Sequence, residues 1–309
     1  MSLRVTFLGT SGAVPTTDRA PSAIFINREG DGLLFDCGEG TQRQMMRFGT
    51  GFDVTALFIT HLHGDHILGI PGLVQSWSFN GREEPLTIYT PQGTGHDIET
   101  LLTVGDYSPA FPVEIVEISA GDVVRETDEY EVRAFQTHHQ TNAVGYALVE
   151  DDRPGRFDRK KAEEELGIPP GPAYGRLHAG EAVELDDGRV IEPEEVVGKP
   201  RPGRKVVYTG DTRPVDATVE IADGADLLIH DATFAADNDE RARKTAHSTG
   251  GEAGEIAARA GADRLALTHI SSRYGGDPSP IEREADAAFD GEAFIASDGQ
   301  TVELPYPNE

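Results

Sequence analysis

Four side chains able to bind a metal ion fall within six consecutive residues of the segment Thr60-His61-Leu62-His63-Gly64-Asp65-His66. The segment follows a short apolar run that predicts a buried strand. Side chains alternate along extended backbone, so the imidazoles of His61 and His63 can point the same way. Gly64 lets the chain turn back, which would bring Asp65 and His66 to face a second ion. Imidazole and carboxylate ligands suit zinc, and also manganese or iron. The spacing therefore predicts a metal centre, in preference to a chance histidine-rich loop.

Further candidate ligands follow later predicted strands, at His138-His139, Asp211 and His269. In α/β folds, ligands gather where strands end. Asp211 stands in a Thr-Gly-Asp-Thr turn, where its carboxylate could bridge two cations. Taken alone, it would be an ordinary turn-capping aspartate, and His269 a core histidine. Their joint placement at strand ends favours metal ligands.

Short apolar runs alternate with helical patterns and Gly-rich turns, which predicts an α/β fold. We predict strands over residues 3–8, 22–26, 33–36, 55–60, 86–89, 113–118, 132–137, 145–150, 205–208, 226–229 and 264–267, and helices over 41–48, 71–79 and 249–260. Between residues 150 and 204 prolines, glycines and charges are dense, which predicts an inserted, partly extended segment outside the core. We expect one domain over residues 1–309 that carries this insert.

The charge balance is strongly acidic, with 54 acidic and 27 basic residues, only five of them lysines, and a formal net charge of −27. High solubility would explain it, but we favour adaptation to a salt-rich cytoplasm, where such charge density is screened. Acidity argues against a nucleic-acid partner, because phosphate binding usually leaves a basic footprint. A local basic cluster and metal ions could still bind phosphate.

Hydrophobic content, the lengths of apolar runs and the cysteine count limit the classes of protein that this sequence can represent. The 38% hydrophobic content is enough for a sizeable core. The sequence has no apolar run of the roughly 18–20 residues that a membrane span needs, and residues 1–15 lack a secretion signal, so we predict a cytoplasmic, non-membrane protein. The single cysteine, Cys37, excludes an internal disulfide and a cysteine-cluster zinc site.

The pattern His-x-His-x-Asp-His with later His, Asp and His resembles the metallo-β-lactamase superfamily. Within it, the chain is similar to the ribonuclease Z family of tRNA 3′-processing endonucleases over essentially its whole length. The segments that carry this likeness are Phe7-Leu8-Gly9-Thr10-Ser11-Gly12-Ala13-Val14-Pro15, Leu34-Phe35-Asp36-Cys37-Gly38-Glu39-Gly40-Thr41-Gln42, Gly171-Pro172-Ala173-Tyr174-Gly175-Arg176-Leu177, Ala246-His247-Ser248-Thr249 and Leu267-Thr268-His269-Ile270-Ser271-Ser272-Arg273-Tyr274. The resemblance implies a four-layer αββα sandwich with an inserted substrate-binding arm, over residues 150–204, that contains Gly171 and Pro172.

The resemblance also implies two zinc ions per subunit, with manganese as an alternative. One ion would be held by His61, His63 and His139, and the other by Asp65, His66 and His269, while Asp211 bridges them. It selects His139 over His138, because the family's ligand precedes a Gly-Tyr pair at the spacing from His139 to Gly145-Tyr146.

The implied reaction removes the 3′ trailer from a tRNA precursor, leaving a 3′-hydroxyl on the tRNA and a 5′-phosphate on the trailer. Asp65 would accept the proton of the attacking water, and His247 would protonate the leaving 3′-oxygen. Taken alone, His247 could merely precede a helix beside the capping residues Ser248 and Thr249. The family orients this histidine with the acidic residue of a His-Glu-Ala-Thr-Phe segment, which here has the shorter Asp231. Arg273 is a candidate phosphate clamp.

The substrate and assembly are implied by the same likeness. The insert holds the densest basic run, Arg153, Arg156, Arg159, Lys160 and Lys161, which we interpret as RNA-binding, although a solvated helix with a Lys160–Glu164 pair would also explain it. The family is commonly homodimeric. One departure is Thr17, which stands where a Pro-x-Lys-x-Arg loop has its lysine, so discrimination against tRNA that already bears CCA is not predicted.

Two other classes of function remain as alternatives. An arylsulfatase or a small cyclic phosphodiesterase could use the same two-metal site, but would not need the arm. A non-catalytic RNA-binding subunit on a decayed enzyme fold would lack a ligand, and the sequence retains all of them.

Overall fold

The computed structural model describes residues 2–306 of the chain. The strands are β1 (Leu3–Gly9), β2 (Ser11–Gly12), β3 (Ala23–Arg28), β4 (Asp31–Phe35), β5 (Ala56–Phe58), β6 (Leu86–Pro91), β7 (Val113–Ile118), β8 (Val123–Glu126), β9 (Tyr130–Gln136), β10 (Val144–Glu150), β11 (Val183–Glu184), β12 (Val190–Ile191), β13 (Lys205–Tyr208), β14 (Leu227–Asp231), β15 (Arg264–Thr268), β16 (Ile270–Ser271), β17 (Glu292–Ile295) and β18 (Thr301–Leu304). The α-helices are α1 (Thr41–Phe48), α2 (Gly64–Ile67), α3 (Ile70–Phe79), α4 (Gly95–Leu102), α5 (Pro172–His178), α6 (Asp216–Ile221), α7 (Asp239–Thr245), α8 (Gly250–Ala260) and α9 (Ser279–Ala288).

Two seven-stranded mixed sheets form the centre of the fold within residues 2–306. The first has the strand order β18-β1-β3-β4-β5-β6-β7, and the second has the order β17-β15-β14-β13-β10-β9-β8. Parallel pairing joins β4 to β5 and β5 to β6 in the first sheet, and β13 to β14 and β14 to β15 in the second. Because parallel strands run the same way, the residues that follow them collect at one edge of each sheet.

Apolar side chains divide the fold into four layers. One cluster lies between the two sheets, where the Phe58 ring stacks on Phe35 with centroids 4.7 Å apart and meets Tyr146 of the facing sheet edge-on at 5.4 Å. A second cluster joins α6, α8 and α9 to the outer face of one sheet, and a third joins α1, α3 and α4 to the outer face of the other. The αββα sandwich implied by the family resemblance is confirmed.

Residues 150–204, together with Tyr306, form a separate compact unit, and the remaining described residues form the other. The smaller unit contains α5, the β11–β12 hairpin and a π-helical turn at Lys161–Glu165. Its own apolar cluster consists of Ala162, Ile168, Leu177, Val183, Ile191 and Val196. The sequence analysis placed this segment outside the main core and did not predict a cluster within it, because its widely spaced apolar residues meet only once the hairpin and α5 form.

One buried ion pair belongs to this smaller unit. Arg204 is fully buried and donates Nε and Nη2 to the carboxylate of Glu150, at 2.7 Å each. The Arg204 guanidinium also lies 3.8 Å from the centroid of the Tyr306 ring. Paired and bidentate contacts of this kind make burial of the charge tolerable.

The helices agree closely with the sequence predictions at several ends. The helix predicted over 41–48 is α1, and the one predicted from residue 249 begins at Gly250 with Thr249 as its N-cap. Within residues 2–306, no helix combines the length and the hydropathy of a membrane span.

Candidate metal centre

Three imidazoles and one carboxylate converge at the ends of β5, β9 and β13. His61 Nε2 lies 3.0 Å from His63 Nδ1, which in turn lies 3.1 Å from His139 Nε2. Asp211 Oδ2 completes the group, 3.5 Å from His61 Nε2. Ligands about 2.0–2.1 Å from a tetrahedral zinc ion lie roughly 3.3 Å from each other, so this spacing fits one ion.

A second group shares Asp211. Its other oxygen, Oδ1, lies 3.3 Å from His66 Nε2 and 3.3 Å from His269 Nε2. Asp65 Oδ2 lies 3.1 Å from the same nitrogen of His269. The two oxygens of Asp211 thus face the two groups separately, which is the arrangement of a carboxylate that bridges two cations.

Two buried polar atoms without hydrogen-bond partners indicate that these groups could bind metal ions. Among residues 2–306, His66 Nε2 and Asp211 Oδ1 are buried without a hydrogen-bond partner, although they lie 3.3 Å apart. Leaving buried polar atoms unpaired costs about 1–3 kcal/mol each, which a bound cation would offset. The residues present therefore fit a pair of divalent metal ions.

The protonation states agree with this interpretation. Burial lowers the pKa values of His61, His63 and His139, which keeps these imidazoles in the neutral form that binds metal. Burial raises the pKa of Asp211, but its interactions with the imidazoles of His269, His66 and His61 outweigh burial and hold that pKa well below its ordinary value. At His66, the charges of Asp211 and Asp36 outweigh burial and raise the pKa. The cluster therefore attracts positive charge.

Asp36 is a residue of this site to which the sequence analysis gave no role. It follows β4 at a φ of 58°, fully buried, and its carboxylate accepts hydrogen bonds from His66 Nδ1 at 2.8 Å and from the Tyr208 hydroxyl at 2.8 Å. The Thr60 backbone N–H also donates to it, at 2.8 Å. Engaging Nδ1 turns Nε2 of His66 toward the centre, as carboxylates commonly do for metal-binding histidines.

Other ligands are oriented in the same way. His139 Nδ1 contacts the Ala246 carbonyl at 3.0 Å, which points Nε2 at the first group. Thr233 Oγ1 lies 2.8 Å from His269 Nδ1. The backbone N–H of Ala13 donates to Asp65 Oδ2 at 2.8 Å, so the loop after β2 also reaches the centre.

His247 and Asp231 form a dyad beside the metal ligands. His247 Nδ1 lies 2.8 Å from Asp231 Oδ2 and 3.9 Å from Asp211 Oδ2. Burial lowers the pKa of His247, but the charge and hydrogen bond of Asp231 outweigh it and raise that pKa to about 9. Asp231 is itself fixed by the backbone N–H groups of Thr212 and Thr233, at 3.0 and 2.9 Å. The shorter side chain of Asp231 therefore still reaches the histidine.

The remaining predicted site residues lie outside this cluster. His138 is exposed, whereas the His139 side chain is only 1% exposed. Arg273 lies on a 3₁₀ turn four residues after His269, with an exposed side chain. Gly171 and Pro172 begin α5 in the smaller unit. The Lys160–Glu164 pair is present at 4.0 Å, but both side chains are exposed and such pairs contribute little to stability.

Comparisons with known proteins give one consistent result. The metallo-β-lactamase superfamily profile matches residues 16–156, and the β-lactamase superfamily domain profile matches residues 195–270. Ribonuclease Z of Natronomonas pharaonis is 66% identical over 309 residues and covers the whole of both chains. Ribonuclease Z of Haloferax volcanii is 63% identical over 99% of this chain and 96% of that protein. The crystal structure of human tRNase Z, short form, superimposes with a TM-score of 0.71 at 28% identity, covering 98% of this chain and 99% of that one.

Proposed function

The chain belongs to the ribonuclease Z family of the metallo-β-lactamase superfamily, and we propose that it is the metal-dependent endoribonuclease that removes the 3′ trailer from tRNA precursors. The observation that carries the proposal is the shared carboxylate of Asp211 between two ligand groups, with the His247–Asp231 dyad beside it. Such a site can bind a phosphodiester, supply a nucleophile and protonate a leaving oxygen.

We propose that two zinc ions occupy the two groups, with manganese as the alternative, since both metals accept imidazole and carboxylate ligands. Bound divalent ions would neutralise the phosphate charge and lower the pKa of a water molecule so that hydroxide is available near neutral pH. Relatives that are 60–66% identical over the full chain come mostly from halophilic archaea, which agrees with the salt adaptation inferred from the net charge of −27.

The side chains perform the proton transfers. Asp65, whose Oδ2 is held by the Ala13 N–H, accepts the proton of the attacking water. The nucleophile attacks phosphorus in line, and the 3′-oxygen of the tRNA leaves. His247 donates a proton to that oxygen from Nε2, because Nδ1 is engaged with Asp231. Arg273, exposed on the 3₁₀ turn that follows His269, would supply a guanidinium for the phosphate.

The smaller unit would bind the tRNA body. Five of the nine residues from 153 to 161 are basic and one is acidic, although residues 150–204 as a whole carry ten basic and 14 acidic side chains. Arg159 and Lys160 are exposed on this unit. A polyanion can be held by such a local basic run while the rest of the surface stays acidic. Gly171 and Pro172, which begin α5, would shape this RNA-binding surface.

We propose a homodimer formed through an uncharged face. Its residues line a hollow on the larger unit and are Gln42, Met46, Phe52, Gly72, Gln75, Ser76, Ser78, Phe79, Asn80 and Tyr107. Phe79 is 92% exposed and Met46 70% exposed. A second copy with the same net charge of −27 can approach closely only where neither surface carries carboxylates. An exposed apolar face without cations fits a protein partner, because an RNA partner would need basic side chains.

The dimer is tested by the substitution Phe79→Asp. We expect monomers in light scattering of the variant at high salt, because each copy would bury an unpaired carboxylate in the interface. Val123→Asp adds the same charge at an exposed position elsewhere and should remain dimeric. A monomeric wild type, or dimeric Phe79→Asp, would contradict this interface.

The reaction is tested by cleavage of a precursor tRNA with a 3′ trailer, in high salt, with and without added zinc or manganese. We expect metal-dependent release of an intact trailer with a 5′-phosphate, and none from Asp65→Ala. Absence of precursor cleavage, with metal bound and a small phosphodiester still hydrolysed, would instead indicate a small-substrate phosphodiesterase. We also infer a cytoplasmic location, because precursor tRNA is the substrate.

A further inference from the structure

A partly buried ion pair lies directly behind His247. The Arg213 guanidinium donates from Nη1 to Glu252 Oε2 at 2.8 Å, and from Nη2 to Glu252 Oε1. The side chains are only 17% and 22% exposed. The same Nη1 donates to the backbone carbonyl of His247 at 2.5 Å. Arg213 therefore holds the backbone of the residue whose imidazole faces the metal ligands.

Glu252 has two tasks in this arrangement. It is the third residue of α8, where Oε2 accepts from the Thr249 backbone N–H at 2.9 Å, while Thr249 Oγ1 accepts from the Glu252 N–H at 3.3 Å. This reciprocal capping box fixes Thr249, two residues after His247, as the N-cap of α8. The carboxylate that caps the helix thus also binds the guanidinium that holds His247.

The segment 246–249 is held at each of its four residues. The Ala246 carbonyl contacts His139, the His247 carbonyl accepts from Arg213, the Ser248 hydroxyl donates to the Thr212 carbonyl at 2.6 Å, and Thr249 caps α8. Ala246 itself has a φ of 58°, a left-handed conformation that costs a non-glycine residue energy and needs such support. The backbone here is fixed in part by the turn that carries Asp211.

We propose that Arg213 and Glu252 are a positioning pair that holds His247 in place for proton donation to the leaving oxygen. The inference rests on the proposed function, in that His247 must act as the proton donor. The pair itself acts only through the His247 backbone and the start of α8. A displacement of about 1 Å of a group that transfers a proton can cost on the order of 100-fold in rate.

The test compares two substrates that differ in their need for a proton. Precursor tRNA releases an alkoxide, which must be protonated, whereas bis(p-nitrophenyl) phosphate releases a stable phenolate. His247→Ala should lower kcat on the tRNA by about 10²- to 10⁴-fold, and should lower turnover of bis(p-nitrophenyl) phosphate far less, because the phenolate leaves without a proton. Arg213→Gln should lower kcat on the tRNA by about 10- to 100-fold, with KM, metal content and bis(p-nitrophenyl) phosphate turnover little changed.

Two further variants separate positioning from folding. Glu252→Gln keeps the capping box, since glutamine serves at this position, but removes the charge that Arg213 binds. It should show the same loss, confined to tRNA. Arg259→Gln is the control for Arg213→Gln, because it also replaces an arginine by glutamine in an ion pair. Its pair with Asp216 is exposed, so this variant should match the wild type. If Arg213→Gln does not fold, the positioning role is judged from the rates of Glu252→Gln alone.

A double variant gives the sharpest result. If Arg213 acts through His247, then Arg213→Gln combined with His247→Ala should be no slower on tRNA than His247→Ala alone. Additive losses, equal losses on both substrates, or no loss from Arg213→Gln and Glu252→Gln would overturn the positioning role. If His247→Ala itself shows no difference between the substrates, the proton donor of the proposed function is wrong instead.

Discussion

The metal centre and the smaller unit are built by opposite means. In the centre, every ligand is partly or fully buried, and most are turned by a second group, as Asp36 turns His66 and the Ala246 carbonyl turns His139. In the unit of residues 150–204, the basic run is exposed, and the Lys160 side chain is 81% exposed. Bond cleavage needs fixed atoms, whereas holding a polyanion needs only a local excess of charge.

The largest expected effect comes from breaking the shared ligand. Asp211→Asn removes the charge that faces both groups, so we expect loss of at least one metal ion. Turnover of both precursor tRNA and bis(p-nitrophenyl) phosphate should fall on the order of 10³-fold or more, because both reactions need the metals. Metal content by plasma spectrometry and the two rates check this. Asp263→Asn, an exposed aspartate, is the control, and full metal content with normal rates in Asp211→Asn would refute the bridging role.

The next effect concerns the dyad, and its sign is set by the pKa of His247. That pKa is raised to about 9, and the donor must be protonated, so activity should persist below this value and fall as pH rises through it. Asp231→Asn removes the opposing charge and leaves burial to lower the pKa, so the alkaline limit of kcat should move to lower pH. The measurement is kcat on precursor tRNA against pH. An unmoved alkaline limit would show that Asp231 does not control the proton donor.

A smaller effect is expected in the smaller unit. Replacing Arg159, Lys160 and Lys161 by glutamine should raise KM for precursor tRNA. The slope of the logarithm of the binding constant against the logarithm of salt concentration should become shallower by about one per lost phosphate contact. Turnover of bis(p-nitrophenyl) phosphate should not change. Deleting residues 154–201 should likewise raise KM for precursor tRNA and spare the small substrate. A short turn can close the gap, because Val149 and Lys205 are paired on β10 and β13. An equal loss on both substrates would mean that the two regions do not divide the work as proposed.

The smallest expected effect is the change in unfolding temperature with salt concentration. The net charge of −27 requires screening, while the carboxylates of the centre are matched by their own partners. We expect the unfolding temperature to fall as salt is reduced from molar concentration to about 0.1 M, and bound metal to oppose this fall. Circular dichroism during heating, with and without zinc, measures both. A chain that remains fully stable without added salt would contradict salt adaptation.

The candidate metal ligands could be selected from the sequence because they lie close together in the chain or come directly after a strand. His61, His63, Asp65 and His66 are encoded in one short segment, and Asp211 and His269 come after apolar runs that are recognisable as strands. The structure brings all of them together, and His139 with them. The position of His139 was suggested by the family spacing alone, because His138 and His139 are equivalent by pattern.

Contacts that only the tertiary fold creates could not be predicted. Asp36 meets Tyr208 across 172 residues, and Arg213 meets Glu252 across 39, so no periodicity relates the partners. The core of the smaller unit was missed for a similar reason. Residues such as Ala162, Leu177 and Ile191 stand far apart among prolines and charges, and no window shows a continuous apolar face.

The most direct test of the two-metal centre is anomalous diffraction at the zinc absorption edge, from crystals grown with zinc. We predict two peaks about 3.5–4 Å apart, one on each side of the Asp211 carboxylate. The first should be bound by His61, His63 and His139, and the second by Asp65, His66 and His269, each at about 2.0–2.2 Å. A single peak, or two peaks that do not share Asp211, would contradict the two-metal centre.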